Sequence, residues 1–210
     1  MATKQEPRMI CYTVITNDYD ELKEPFVSEG WRYIVFSDRF IESEHWECYI
    51  TDKHNRDIKI RPHKELFHEP CLYVDGSIEI IGNLNEFITE VPTWFSIWKH
   101  PHRDCVYDEA DAVVRLKGCH PGLVKQQMAR YDIPKHWGLG ANGIMLRDLS
   151  DSKVRQICER WWKEYQNGVE RDQLSLMPVF HKMGYKPDLF GNDIMNKYFK
   201  WGKHEKVRHN

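Results

Sequence analysis

Cys71-Leu72-Tyr73-Val74-Asp75-Gly76-Ser77-Ile78-Glu79-Ile80 begins as a continuous apolar run and stops abruptly on an acid and a glycine. A short apolar run bounded by turn residues reads as a buried strand that delivers its last residues to a loop. The same unit recurs upstream. Met9-Ile10-Cys11-Tyr12-Thr13-Val14-Ile15 ends in Asn17, Asp18 and Asp20, and Trp31-Arg32-Tyr33-Ile34-Val35-Phe36 closes on Ser37-Asp38. His45 to Ile50 supplies a third strand before the polar Thr51-Asp52-Lys53-His54-Asn55-Arg56, and the mixed pattern of Ile58 to Phe67 predicts a helix broken by Pro62. Strands alternating with longer segments predict an α/β fold with one open, mainly parallel mixed sheet flanked by helices. In such sheets ligands lie at the carboxyl ends of the strands, where Asn17, Asp18, Asp38 and Asp75 converge.

The second half is more helical. Ser150-Asp151 caps a segment whose Val154, Ile157, Cys158, Trp161 and Tyr165 recur at helical spacing, and Asn167-Gly168 ends it. Another helix is expected from Asp172 through Leu174, Leu176, Met177 and Phe180 to Gly184, with Pro178 weakening its middle or moving its start. With 210 residues there is room for one substantial core, so residues 1–199 read as one domain and the polar, basic stretch 200–210 as a tail, or as a linker to further domains of a longer polypeptide.

Hydrophobic residues at 41% and charged residues at 30% describe a folding chain. A formal net charge of -2 gives no global field for a polyanion, which argues against nucleic acid as a partner and requires any phosphate to be gripped locally. The six cysteines show no CxxC pair, no stretch is apolar enough for a membrane span, and the N-terminus lacks a signal-peptide core. A reducing, cytoplasmic location is the expectation.

Four strings carry chemistry. Asp75-Gly76 is either a hairpin turn or an acid placed to hold a divalent cation. Lys99-His100-Pro101-His102-Arg103-Asp104-Cys105-Val106-Tyr107-Asp108-Glu109-Ala110 is dense in charge. Lys99, His100 and Arg103 suit phosphate or sugar hydroxyls, and Asp108 and Glu109 suit an acceptor, while a surface ion-pair network explains the same residues. Gly138-Leu139-Gly140-Ala141-Asn142-Gly143 lets a ligand approach the backbone. Arg171-Asp172-Gln173 puts a carboxylate and a carboxamide at a helix start, where Asp172 is equally an ordinary N-cap.

Taken in order, Phe36-Ser37-Asp38, Tyr73-Val74-Asp75-Gly76, Lys99-His100-Pro101-His102-Arg103-Asp104, Asn142-Gly143-Ile144-Met145-Leu146 and Arg171-Asp172-Gln173 resemble the GT-A-like glycosyltransferases of large algal (chlorella) viruses and the plant glycosyltransferase-like family. The resemblance covers roughly residues 9 to 185 and implies a single GT-A-type, Rossmann-like domain. It implies transfer of a hexose or deoxyhexose from a UDP-sugar donor to a glycan acceptor, assisted by Mn2+ or Mg2+. Thr13, Asn17 and Asp38 match positions that hold the nucleoside, with Arg56, Lys59, Arg61 and His63 near the diphosphate and Asn142-Gly143 beside the donor. Asp172 and Gln173 match the catalytic positions. Asp75 matches the first acid of an Asp-x-Asp metal motif, but its third position is Ser77, a weaker ligand, so the expected shell draws on His181 as well. Eukaryotic Golgi glycosyltransferases usually carry a membrane anchor, so a cytosolic enzyme or a domain excised from a longer chain is expected here.

Two other readings compete. A nucleotidyltransferase shares the sheet and the acids but ordinarily has a glycine-rich basic loop after its first strand, where Thr16-Asn17-Asp18-Tyr19-Asp20 is acidic. A non-catalytic carbohydrate-binding module would use eight Trp and ten Tyr for sugar stacking, although core packing also explains such residues.

Overall fold

The computed structural model describes residues 9–67, 69–92 and 94–202. Along the chain run β1 (Met9–Ile15), β2 (Trp31–Ser37), β3 (Trp46–Ile50), α1 (Asn55–Ile60), β4 (Pro70–Val74), β5 (Ile78–Ile80), α2 (Leu84–Glu90) and β6 (Phe95–Lys99). There follow α3 (Val106–Lys117), α4 (Pro121–Met128), β7 (Gly140–Asp148), α5 (Ser152–Gln166), α6 (Gln173–Lys182), β8 (Asp188–Phe190), α7 (Asn192–Tyr198) and β9 (Phe199–Trp201).

Seven strands form one sheet in the order β3-β2-β1-β4-β7-β6-β8. Only β7 opposes its neighbours β4 and β6, and the other pairings are parallel. The expected mainly parallel mixed sheet is therefore present. The chain builds outward from β1 to β3 and then returns to lay β4 on the other side of β1. That reversal is a topological switch point, where the loops after β1 and β4 part and leave a crevice.

Strand alternation explains why these runs are apolar at nearly every position. Tyr12, Ile34, Tyr73 and Met145 pack on one face with Trp161 of α5 and Phe180 of α6. Cys11, Tyr33, Leu72 and Leu146 pack on the other face with Phe87 of α2 and Tyr198 of α7. Helix α5 follows its sequence pattern: Asp151 accepts from the Lys153 amide, the five periodic residues are buried, and Asn167 forms the C-cap.

Three expectations need correction. Helix α1 begins before Ile58, because the His54 ring accepts from the Arg56 amide and caps it, and it ends at Arg61. Proline disfavours helical geometry in the residue before it, so Pro62 sets that end and only a 3-10 turn at Lys64–Leu66 follows. Asp75-Gly76 is not a hairpin turn, since β4 pairs with β1 and β7 whereas β5 pairs with β9. Lys200 and Trp201 belong to β9, in register with Glu79 and Ile78, so the ordered chain continues beyond residue 199. The rest of the expected tail, 203–210, lies outside the described residues. Among the described residues no helix is long and apolar enough to cross a membrane, and all six cysteines are free.

One buried charge ties α1 to the sheet. Arg147 of β7 is fully buried and donates to the backbone carbonyls of Lys59 at 2.9 Å and Ile60 at 3.3 Å, and to the Tyr12 hydroxyl. These carbonyls are ones that the end of a short helix leaves without intrahelical partners. Replacing Arg147 by methionine keeps the bulk and strands those acceptors. Arg147→Met is expected to lower the unfolding free energy by on the order of 3 kcal/mol in urea titration, and a change below about 1 kcal/mol would show that the guanidinium is dispensable.

Candidate functional site

At the switch point lies a cavity of about 310 Å³ whose walls include Arg56, Lys59, Asp75, Ser77, His100, Arg103, Glu109, Gly143, Arg171, Asp172 and Gln173. Its centre is Lys59, the penultimate residue of α1, which is only 2% exposed. Its ammonium lies 3.0 Å from Asp75 Oδ1 and 2.9 Å from Asp172 Oδ2. The Tyr73 hydroxyl donates to the same Asp75 oxygen at 2.6 Å, and the ammonium lies 5.2 Å from the Tyr73 ring centre. Three elements thus meet on one charge: α1, the end of β4 and the start of α6.

The N-cap explanation of Asp172 does not hold. Its backbone is helical and its side chain makes no capping hydrogen bond. The carboxylate turns inward instead, where Oδ2 lacks a hydrogen bond of good geometry and meets Lys59 as a charge. Burial pushes its pKa up, but Lys59 and Arg56 outweigh burial and hold it down at about 2. Asp172 is therefore ionised at any working pH. Arg56 answers in kind, its own pKa raised chiefly by Asp172.

The Lys-His-Pro-x-Arg string is a turn that presents four cavity residues, His100, Pro101, His102 and Arg103. His100 Nδ1 accepts from the amides of His102 and Arg103 at 3.2 and 3.1 Å, and this folds Arg103 back onto Glu109 in the first turn of α3. Glu109 is 3% exposed, and burial raises its pKa despite Arg103. Burial, then Arg103 and His102, lowers His100 to about 4, so its imidazole is neutral near pH 7.

The third wall comes from a bulge. Between the pairs Ile97↔Met145 and Lys99↔Gly140 the register of β6 and β7 shifts, and Asn142 adopts a left-handed conformation at φ 59. Bulges bend a strand and re-aim its residues. Here Ala141 and Gly143 line the cavity, and a Cβ on Gly143 would come within 3.2 Å of Asp75 Oδ2.

Several expected residues lie elsewhere. Asn142 is buried, its amide atoms lack hydrogen-bond partners, and it does not line the cavity. Thr13 is buried in β1, two residues short of the strand end. Asp38 accepts from the Asn17 amide at 2.8 Å, joining the ends of β1 and β2, and neither residue lines the cavity. Arg61 pairs with Asp57 and sits over Trp162, and the His63 ring meets Phe36. Lys99 is exposed. His181 packs against Trp137 near the far end of α6; at about 1.5 Å rise per residue it is over 13 Å along the axis from Asp172. Conversely, Tyr19, Tyr73, Trp98, Arg171 and Trp201 belong to the cavity or its support and were not among the expected site residues. Arg171 lay inside a quoted string, whereas Trp201 lay in the supposed tail.

No protein-family model matches this sequence, and no curated protein matches it. Among solved structures it is similar to WbbM, described as a bifunctional glycosyltransferase in its apo state, with a TM-score of 0.50 and 9% identity over 90% of this chain. The chain has a glycosyltransferase-like fold. It spans 40% of the WbbM chain.

Glycosyltransferase folds of this type usually take a divalent metal held by carboxylates. Here Asp75 Oδ1 is already engaged by Lys59 and Tyr73, Ser77 replaces a second acid, and His181 is remote. The expected set of Asp75, Ser77 and His181 does not fit a divalent ion. Elsewhere, Cys105, Asp108 and His136 bring ligand atoms within 4.8 Å of one another, and none of them lines the cavity.

The His100 shift predicts a pH effect. A folded-state pKa of about 4 against 6.5 means the unfolded chain takes the proton first, so this contribution to stability is complete above pH 6.5 and lost as pH falls toward 4. Asparagine keeps an acceptor near Nδ1 and cannot titrate there. Between about pH 7 and about pH 5, His100→Asn is expected to lose fewer degrees of melting temperature than the parent chain, and parallel losses would exclude His100 as the cause.

Proposed function

We propose that the chain is a nucleotide-sugar-dependent glycosyltransferase that moves a hexose or deoxyhexose from a UDP-sugar to a glycan hydroxyl. One observation carries this reading: a cavity at the switch point of the sheet has five cationic side chains, Arg56, Lys59, Arg103, Lys117 and Arg171, against three carboxylates. Breaking a glycosyl-phosphate bond leaves a nucleoside diphosphate, whose developing charge is stabilised by cations already in place. The chain's overall charge of -2 supplies none of this attraction, so the local cluster must. WbbM's description as a glycosyltransferase supports the same class.

The two carboxylates suit different tasks. Asp172, held ionised at about 2, is a poor proton acceptor near neutrality and a good fixed charge for an oxocarbenium-like transition state. Glu109, raised by burial, is better matched to accept the acceptor's proton. Gln173 donates to the Ala141 carbonyl at 3.2 Å and so braces the bulge against α6. Trp98 and Trp201, ring centres 5.9 Å apart, form an aromatic wall with Trp201 60% exposed, suited to stack on an acceptor sugar. Against a nucleotidyltransferase stands the acidic loop after β1, and against a binding module stands the buried Lys59 charge network, which stacking alone does not require.

Incubation with a panel of UDP-sugars is expected to release UDP slowly without acceptor. Pyrophosphate chemistry, or glycan binding with no turnover of any donor, would overturn the reading. Asp172→Asn is expected to lower turnover by about two orders of magnitude or more, and an active variant would remove Asp172 from the chemistry. Trp201→Ala is expected to raise the acceptor KM by roughly 5- to 10-fold with kcat and donor KM little changed, as for loss of one stacking contact. An unchanged acceptor KM would leave Trp201 outside the acceptor site.

A further inference from the structure

Resting on that reading, we propose that Lys59 takes the place of the divalent metal, so that the protein binds its nucleoside diphosphate without one. The ammonium lies 3.0 and 2.9 Å from two carboxylates that come from different elements, which is where a metal ion shared between them would sit. It is 2% exposed and cannot swing away into solvent. The α1 backbone that carries it is fixed from below by Arg147, through the carbonyls of Lys59 and Ile60.

The remaining donors agree. Asp75 Oδ1 already has two hydrogen-bond donors, Lys59 and Tyr73, and a hard cation on that oxygen would have to compete with both. Ser77 is buried and its carbonyl is engaged by the Gly202 amide at 2.8 Å, which holds it to the β9 end of the chain. A dication entering beside the buried Lys59 would meet like charge at close range, with Arg56 in the same cavity. The diphosphate needs no such ion. Its oxygens can accept from Arg56, Arg103 and Arg171, which share the cavity with Lys59, and guanidinium groups bind phosphate with paired donors.

The test is calorimetric titration of the full chain with UDP, once in EDTA and once with Mn2+. Asp108→Asn serves as the background, so that Mn2+ held at Cys105, Asp108 and His136 does not contribute. Equal affinity in both buffers is expected. Lys59→Met is expected to weaken UDP binding by about 10- to 100-fold, the range for losing a charge-assisted hydrogen bond. Should that variant fail to fold, Asp75→Asn decides. The amide oxygen still accepts from Lys59 and Tyr73 while the ammonium is less neutralised, so UDP binding in EDTA is expected to be no weaker, whereas a metal ligand would be lost. UDP binding that appears only with Mn2+ would overturn the Lys59 proposal and leave the transferase reading standing. No UDP binding in either buffer would overturn both.

Discussion

A primary ammonium with almost no solvent exposure cannot stand alone in a protein interior, because the desolvation cost of an unpaired charge exceeds what packing returns. Lys59 therefore imposes a condition on the fold: α1, the end of β4 and the start of α6 must bring two carboxylates to one point. Two acids on one cation leave an excess of negative charge, which Arg56 offsets from the same wall. The group is pre-organised before any ligand arrives. Its geometry passes back into the core through Arg147, whose guanidinium links α1 to β7 and, through Tyr12, to β1.

The sheet gives this charged group its location. Strand order reverses beside β1 and β4, and the crevice so formed opens at the carboxyl ends where Asp75 leaves the sheet. The antiparallel β7 then closes one side. Its bulge replaces a regular ladder with the backbone of Ala141 and Gly143, and the small size of Gly143 lets that backbone lie against Asp75. A basic wall in a chain of slightly negative charge follows from drawing cations from four separated segments, those of α1, the Arg103 turn, α3 and the start of α6.

Sequence and structure agree most closely where a local pattern has one physical cause. β1 matches its apolar run residue for residue, β2 and β4 differ from theirs by one, and the buried stripe of α5 falls on the five residues whose spacing announced it. Burial on both faces makes a central strand apolar throughout, and a capped amphipathic helix needs only its own residues to declare itself. Arg56, Lys59, Asp75, Arg103 and Asp172 were also legible as candidates, since each stands at an element end or in a dense charged string.

What the tertiary structure alone decided was how those candidates pair. Asp172 has the sequence signature of an N-cap, yet it faces Lys59, 113 positions away, and no local spacing encodes that contact. Arg61 and His63 share a segment with Lys59 but fall on other sides of it, and His181 shares a helix with Asp172 but lies turns away. Trp201 looked like tail until β9 paired with β5, which puts Trp201 opposite Ile78, 123 positions away. The amino-acid sequence by itself determined the strands, the amphipathic helix and the stock of charges, because these depend on neighbours along the chain. Which charges meet was left to the packing of α1 and α6 on the sheet, because a buried ion pair is selected by desolvation, and desolvation exists only once the fold has closed around it.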